Sequence, residues 1–236
     1  MLPQDEKISK FRRLAELGQA IKLINNYRGF PIISNAEIEA IEDAFVTLKI
    51  FEYQAVCMAL EGFTYVQHTA FPEVYRAAAI SVNIPGRSAV VTEFTGVGNL
   101  VGKRTYIRVQ PKDSVPVEIY DGDHRIPGKL ADISTIGMGI YTLATYIYSR
   151  LDFREGSNIY IDLILPVAEM PIRLQGRIAN VIRQEGEYLH RLGVKILPNP
   201  DGEEKLRAYI AIRQEEIMRE LSMIYESLRA EQMKGK

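Results

Sequence analysis

A run of short, β-rich segments in the second half of this 236-residue chain constrains its fold more than any other feature. The predicted strands are residues 105–109, 115–120, 128–133, 138–142, 159–165, 172–183 and 189–197. Turn signals that contain glycine separate them, among them Asp121-Gly122-Asp123 and Gly156-Ser157-Asn158. Short strands that follow one another at this spacing predict a β-barrel or a β-sandwich.

The first 95 residues combine helical and strand-like patterns. Apolar residues recur at spacings of three and four over about residues 5–27, which predicts an amphipathic helix that the polar and helix-breaking residues 25–31 end. Ser34 and Glu37 have capping-box spacing and predict the start of a second helix. Three later segments are β-rich and are predicted to be strands: 62–68, 77–84 and 88–95. The expectation for this half is therefore an α+β domain.

A glycine-rich segment, residues 96–102 (GVGNLVG), separates the two halves and predicts a flexible linker. A dinucleotide-binding loop does not fit, because Val101 stands where the third glycine belongs and no helix follows. A last helix is predicted from about Glu203 to Gln232, either packed on the barrel or paired with a second copy of the chain. The predicted organisation is an N-terminal accessory domain (1–95), the linker (96–102), a barrel (103–200) and a C-terminal helix (201–236).

Charge, cysteine and histidine content argue against several classes of protein. A formal net charge of −1 does not fit a protein that wraps a nucleic-acid polymer, since such proteins carry a basic excess. The single cysteine, Cys57, lies in an apolar run and is predicted to be a buried side chain. The three histidines are far apart, so no metal site is expected. With no apolar signal-peptide or membrane-spanning stretch, the expected location is the cytoplasm.

A cluster of basic residues opens the β-rich half. Residues 101–112 (VGKRTYIRVQPK) carry Lys103, Arg104, Arg108 and Lys112 with no acidic residue among them. The spacing of Arg104 and Arg108 is weak evidence alone, because it recurs at two other pairs, Arg150/Arg154 and Arg173/Arg177. In an extended segment the even spacing places both side chains on one face. Two guanidinium forks on one face suit the phosphates and the O6/N7 edge of a guanine nucleotide.

A second motif, Asp132-Ile-Ser134-Thr-Ile-Gly137, lies 24 residues beyond Arg108. Asp132 and Ser134 are two residues apart and share one face of a strand end. The carboxylate can accept the N1–H and N2–H₂ donors of guanine, and the hydroxyl can bond beside it. Gly137 supplies either a positive φ or room for the backbone to approach a ligand. Taken alone, the same residues also fit an ordinary Asx or Ser turn that stops at a glycine.

The order and spacing of the two motifs resemble the PilZ domain family, whose pattern is RxxxR followed by [D/N]xSxxG. Tyr106 takes the usual aromatic place inside the first motif, and Met138-Gly139-Ile140 follows the second as in the family. LQGRIANVIR and HRLGVKIL resemble the closing hairpin of these domains. The resemblance covers roughly residues 100–200.

The resemblance implies a six-stranded antiparallel β-barrel that binds the bacterial second messenger cyclic di-GMP. It implies that the basic motif contacts phosphate and guanine and that the second motif receives a guanine. The implied ligand-binding residues are Lys103, Arg104, Arg108, Asp132, Ser134 and Gly137. The implied function is a receptor that changes conformation when it binds the nucleotide. Through a protein partner, it would regulate a process such as motility, biofilm formation or exopolysaccharide production.

Three alternatives use the same sequence differently. A nucleotide-independent adaptor would use the barrel only for protein–protein contacts. An enzyme could be assembled on paper from Ser134, Asp132 and His190, but no G-x-S-x-G elbow surrounds the serine, so neither catalysis nor a cofactor is expected. Control of DNA through the basic N-terminal helix lacks a helix-turn-helix pattern.

Overall fold

The structure is a computed structural model that describes residues 3–98, 106–121, 124–148, 153–166, 171–183 and 188–234. It consists of two compact units, each built on a closed six-stranded β-barrel. Within the described ranges, the first unit comprises residues 3–27, 31–98 and 217–234. The second unit comprises residues 28–30 and 106–216, with the gaps given above.

The first unit is an antiparallel barrel with helices before and between its strands. Its elements are α1 (Gln4–Glu16), β1 (Ile21–Tyr27), β2 (Phe30–Glu42), β3 (Phe45–Lys49), α2 (Glu52–Glu61), β4 (Phe63–Gln67), β5 (Tyr75–Asn83) and β6 (Ser88–Gly96). The strand order is β1-β2-β3-β6-β5-β4, and β4 pairs with β1 to close the ring. Its core consists of inward-facing apolar side chains such as Leu23, Val46 and Val91.

The prediction of an α+β domain that opens with two helices was wrong for this unit. Helix α1 ends at Glu16, and Gly18 just beyond it has a φ of +61°. Residues 21–27 form β1 rather than the last turns of the helix. A glycine shortly after an apolar residue is a common helix stop, so Leu17-Gly18 was the signal that marked this end.

The second predicted helix is also a strand, and a β-bulge explains the error. Ile38 and Ile41 are three residues apart, as on a helix, yet both lie in β2. They pair with Leu48 and Val46 of β3, and the register shifts between Ile38 and Ala40. Because a bulge inserts one residue into the alternation, two side chains three apart come to share a face of the strand.

Helix α2 was not predicted, and it carries a buried polar network. It ends at Gly62, which has a φ of +72°. Gln54 of α2 is fully buried and donates a hydrogen bond to Asn25 of β1. Asn25 donates in turn to Glu61 Oε2 (2.5 Å) and to the Phe63 carbonyl oxygen (2.8 Å). Asn25, a helix-end signal in the sequence, is therefore a satisfied core residue that joins α2 to the barrel.

The second unit contains the predicted six-stranded antiparallel barrel. Its elements are β7 (Pro116–Asp121), β8 (His124–Ser134), β9 (Gly137–Leu143), α3 (Ala144–Tyr148), β10 (Asn158–Leu163), β11 (Ile172–Ile182), β12 (Leu189–Ile196) and the first part of α4 (Pro200–Lys234). The strand order is β10-β11-β12-β9-β8-β7, closed by pairing of β7 with β10. The prediction of this barrel and of a trailing helix is confirmed.

One predicted strand of the second half has a different structure. Residues 106–108 are outside any strand, and Val109 forms a single antiparallel bridge to Ile133. The alternation in β10 is as predicted, because Ile159, Ile161 and Leu163 are all buried. The segment before β7 is thus joined to β8 by isolated backbone contacts, at Val109 and at Val115, instead of forming a seventh strand.

Cys57 is a free, buried residue of α2, as its apolar surroundings predicted. Burial, with a smaller contribution from the charge of Glu61, raises the pKa of its thiol to about 12. The thiol is therefore protonated at neutral pH and packs as a small apolar side chain.

The described residues offer neither a membrane-spanning helix nor a cluster of metal ligands. None of the helices in these ranges combines the length and apolar character needed to cross a bilayer. The same part of the chain contains no group of three or more His, Cys, Asp or Glu placed to hold a metal ion.

Candidate functional site

A two-way backbone bridge brings the basic segment to the end of β8. Val109 N–H donates to the Ile133 carbonyl oxygen (2.9 Å), and Ile133 N–H donates to the Val109 carbonyl oxygen (3.0 Å). The residues before these two, Arg108 and Asp132, carry opposite charges. Their side chains lie beside each other, with 3.5 Å between Arg108 Nη1 and Asp132 Oδ1. The two motifs that are distant in sequence therefore meet at this bridge.

Helix α4 holds the same segment from another side. Arg213 is only 1% exposed, and its Nε donates to the Gln110 carbonyl oxygen (2.9 Å). Its Nη1 donates to Glu216 Oε2 (3.0 Å). A buried guanidinium that loses its partners is costly, so these bonds fix the backbone two residues beyond Arg108.

The Asp132 carboxylate is mostly buried and lies between two arginines. Its side chain is 15% exposed, and Oδ2 accepts a hydrogen bond from Arg191 Nη2. Oδ1 faces Arg108 at ion-pair distance, but it is buried and accepts no hydrogen bond from the described residues. A buried carboxylate oxygen in this state has free acceptor capacity. A ligand N–H can use this capacity only after the groups that cover Oδ1 move aside.

Arg191 is a residue of this site that the sequence analysis did not single out. It lies on β12 within HRLGVKIL, the segment that resembles the closing hairpin of the family. The available signal was an arginine with an apolar neighbour and a glycine after it. That signal is weak, because it gives no hint that the side chain reaches β8.

Ser134 and Gly137 shape the turn between β8 and β9. Ser134 is 1% exposed, and its hydroxyl donates to the Gly137 carbonyl oxygen (2.9 Å). Gly137 does not have the positive φ that was offered as one reason for a glycine here. A Cβ at this position would lie 2.8 Å from the Val194 carbonyl oxygen, so the glycine is needed for close packing on β12. The ordinary-turn interpretation of these two residues thus describes their contacts.

Lys103 and Arg104 lie outside the described residues, so their places in the site stay predictions. Another RxxxR pair of the chain has partners of its own on β10 and in the turn before β10. Arg173 of β11 forms two hydrogen bonds to the Asp162 carboxylate (2.8 and 2.6 Å). Arg177 Nε donates to the Gly156 carbonyl oxygen (3.0 Å). These two arginines therefore serve cross-strand contacts away from Asp132.

A cavity of about 660 Å³ borders the site along β8 and β9. In the ladder of these strands, the pair Lys129–Tyr141 lies two pairs from Asp132–Gly139, with Leu130–Ile140 and a bulge between them. Lys129 and Tyr141 line the cavity together with Lys112 and Tyr146. Its volume is in the usual range of ligand sites, roughly 300–1,000 Å³. Two lysines and two aromatic rings suit a ligand that is both anionic and aromatic.

Residues 102–211 match the family described as PilZ domain. An uncharacterized protein of Aquifex aeolicus (strain VF5) is 24% identical over 226 residues, which is 92% of this chain and 96% of that protein.

Several solved structures are similar to this chain over most of its length. MrkH of K. pneumonia in complex with c-di-GMP has a TM-score of 0.47 at 14% identity, over 92% of this chain and 97% of that one. YcgR of Escherichia coli in complex with c-di-GMP has a TM-score of 0.44 at 14% identity, over 94% and 95%. The inhibitor of motility MotI/DgrA of Bacillus subtilis has a TM-score of 0.43 at 12% identity, over 84% and 97%.

The range matched to the family contains both motifs and all six strands of the second barrel. The basic motif stands at its start, and the Asp132–Gly137 motif lies at the β8–β9 turn. Residues 102–211 of the chain are therefore a PilZ domain.

Proposed function

We propose that this chain is a receptor for cyclic di-GMP, bound on the outside of the second barrel where the basic segment meets β8. The observation that carries the proposal is the juxtaposition of Arg108 and Asp132, 3.5 Å apart across the Val109–Ile133 bridge. A guanidinium and a carboxylate held side by side offer donors and acceptors of the kinds that a guanine nucleotide requires.

The chemistry assigns one function to each of the two side chains. Asp132 Oδ1 accepts no hydrogen bond within the described residues, and it is suited to the N1–H and N2–H₂ donors of guanine. Arg108 has five N–H donors, which suit phosphate oxygens and the O6/N7 edge of guanine. The contact of Arg108 with Asp132 is an ion pair at 3.5 Å and not a hydrogen bond, so a ligand that moves the two side chains apart to reach Oδ1 breaks no hydrogen bond between them.

The other residues of the two motifs complete the proposed site. Lys103 and Arg104 add positive charge for the phosphates, as the family resemblance implies. Ser134 and Gly137 act through the turn that fixes the end of β8, where Asp132 is placed. The two lysines of the neighbouring cavity, Lys112 and Lys129, extend the positive charge beside the ligand.

In this proposal the bound nucleotide changes the conformation of the protein. The chain thereby regulates a downstream process such as motility, biofilm formation or exopolysaccharide production through a protein partner. Small-angle X-ray scattering with and without cyclic di-GMP tests the conformational part. Identical profiles at saturating ligand would contradict it and leave the binding site itself untouched.

Isothermal titration calorimetry of cyclic di-GMP against three proteins tests the proposed site. The wild type is expected to bind, and Arg108→Ala is expected to bind at least ~30-fold more weakly, because truncating a desolvated charge partner costs roughly 2–5 kcal/mol. The third protein, Arg173→Ala, is the matched control. Arg173 is also an arginine of the second barrel that pairs with a carboxylate, yet it lies away from the proposed site.

Each outcome of this titration has a definite meaning. Equal affinities for the wild type and Arg173→Ala, with a large loss in Arg108→Ala, support the site. A large loss in Arg173→Ala with none in Arg108→Ala would move the site to another arginine pair. Absence of binding by the wild type would exclude the receptor function and favour the nucleotide-independent adaptor.

A further inference from the structure

The side chain of Arg191 reaches Asp132 by crossing an entire strand. Around the barrel β12 is followed by β9 and then by β8. Arg191 pairs with Tyr141 of β9, whereas Asp132 of β8 pairs with Gly139 of β9. The guanidinium therefore extends diagonally over β9 to reach the carboxylate on the far side.

The crossing depends on the missing side chain of Gly139. A Cβ at this position would lie 2.7 Å from Arg191 Nη2 and 2.8 Å from its Nε. Both distances are shorter than a real carbon–nitrogen contact, so any side chain at position 139 would displace the guanidinium. The glycine thus leaves a channel over β9 that Arg191 fills.

The two oxygens of the Asp132 carboxylate have different partners as a result. Arg191 Nη2 donates to Oδ2, while Oδ1 is buried and accepts no hydrogen bond from the described residues. The terminal torsion of an aspartate is broad, so a carboxylate without such a bond samples many orientations. One guanidinium on Oδ2 fixes the plane of the group and directs Oδ1 towards Arg108.

We propose that Arg191 is a positioning residue of the nucleotide site, which acts through Asp132 and depends on Gly139 for its path across β9. The inference rests on the proposed function and deepens it. A carboxylate of fixed orientation selects guanine, whose N1–H and N2–H₂ donate, over adenine, which has no hydrogen on N1 and no 2-amino group. Arg191 is therefore a determinant of base specificity that does not touch the base.

A measurement without ligand tests the geometry on its own. In protein labelled with ¹⁵N-arginine, the Nε–H resonance of Arg191 is expected to shift in Asp132→Asn and in Gly139→Ala. Asp162→Asn, which removes the partner of Arg173, is the matched control and should leave the Arg191 resonance in place. If the Nε–H shift of Arg191 is unchanged in both Asp132→Asn and Gly139→Ala, the contact between Arg191 and Asp132 is contradicted, whatever ligand the protein binds.

Titration with two nucleotides tests the consequence for binding. Arg191→Ala is expected to weaken cyclic di-GMP at least about tenfold and to leave the weaker binding of cyclic di-AMP unchanged, so the preference for guanine falls. The double variant Arg191→Ala/Asp132→Ala should bind no more weakly than Asp132→Ala, because Arg191 acts only through that carboxylate. Gly139→Ala should reproduce Arg191→Ala, since the added methyl meets the movable end of a side chain and the fold is retained.

The remaining outcomes separate this inference from the proposed function. Additive losses in the double variant would mean that Arg191 contacts the ligand itself, and equal losses for both nucleotides would mean a general structural effect. Either result overturns the positioning inference, as would unchanged binding in Arg191→Ala, while binding by the wild type keeps the receptor function. Absence of wild-type binding would overturn the receptor function and, with it, the inferred base specificity.

Discussion

In both barrels the first three strands follow one another around the ring, and the sixth, fifth and fourth complete it. The likeness extends to detail. The second strand of each barrel has a bulge at the same place in its pairing with the third, between Ile38 and Ala40 in one and between Leu130 and Asp132 in the other. The two barrels can therefore be compared position by position through their ladders.

The comparison shows different residues at each position of the proposed site. Where the second barrel has Asp132 paired with Gly139, the first has Ala40 paired with Thr47. In the second barrel Arg191 pairs with Tyr141. At the corresponding place of the first barrel, Ser88 pairs with Lys49, so a serine stands in the position of the arginine. The corresponding positions in the first barrel therefore lack both the carboxylate and the arginine that crosses to it.

The two barrels share their backbone pairing and differ in the side chains of the proposed site. Register, bulge and closure are common to both barrels, so they serve folding. The proposed ligand binding depends on a few side chains and on the basic segment that the Val109–Ile133 bridge attaches to the second barrel. Exchanging or perturbing these differing positions should therefore affect the two barrels differently.

Giving the second barrel the residue of the first at one position is expected to have the largest effect. Asp132→Ala should weaken cyclic di-GMP binding at least ~30-fold by calorimetry, because Arg108 and Arg191 lose their shared partner and the guanine loses its acceptor. The reverse change, Ala40→Asp, is the matched exchange. It should not restore binding to the Asp132→Ala protein, and restoration would mean that the first barrel also provides a site.

A substitution in the β8–β9 turn should lower the free energy of unfolding more than a substitution at the same place in the β2–β3 turn. Gly137→Ala places a methyl 2.8 Å from the Val194 backbone oxygen and is expected to lower the free energy of unfolding by about 1–3 kcal/mol. Phe45, which has the same place in the first barrel, is 43% exposed, so Phe45→Leu should change it by less than about 0.5 kcal/mol. Urea denaturation measures both, and equal effects would show that the two turns are packed alike.

The smallest expected effects concern pH, and they have opposite signs in the two barrels. The hydrogen bonds from Arg173 hold the pKa of Asp162 below its ordinary value. Such an acid adds stability above its unfolded pKa of about 3.9, and this stability is lost as the pH falls through the lower folded pKa. Asp162→Asn should therefore lose stability relative to the wild type near neutral pH, and the difference should vanish in acid.

In the first barrel, burial raises the pKa of Glu61, against a smaller lowering effect of Asn25. A glutamate with a raised pKa lowers the free energy of unfolding of the protein as the pH rises from the unfolded pKa of about 4.3 through the higher folded pKa. Glu61→Gln keeps an acceptor for Asn25, so it should gain stability relative to the wild type over that interval. Thermal unfolding in a pH series measures both variants, and slopes of the same sign would contradict the comparison.

The second barrel was predictable because its signals are local. Turn residues separate its strands, β10 alternates cleanly, and two motifs at a fixed distance identify the family. The meeting of Arg108 with Asp132 followed from the family pattern. The reach of Arg191 across β9 did not, because it depends on strand order and on an empty position in a third strand.

The first barrel was not predicted because its strands depend on long-range pairing that the local sequence pattern does not show. The bulge in β2 gives its apolar residues a helical spacing, and only pairing with β3 reveals their common face. Asn25 resembles a helix terminator in the sequence. Its real role is hidden there because its partners, Gln54 and Glu61, belong to a helix much later in the chain. Tertiary pairing therefore outweighed local periodicity in this half.

Closure of the two rings also limits how another protein can recognise this chain. In a closed barrel every strand has a hydrogen-bonded neighbour on each side, so no open edge remains to which a partner could add a strand. A partner that approaches the described barrels therefore contacts side chains and not free strand edges. The ligand proposed for the second barrel would change the side-chain surface that such a partner contacts.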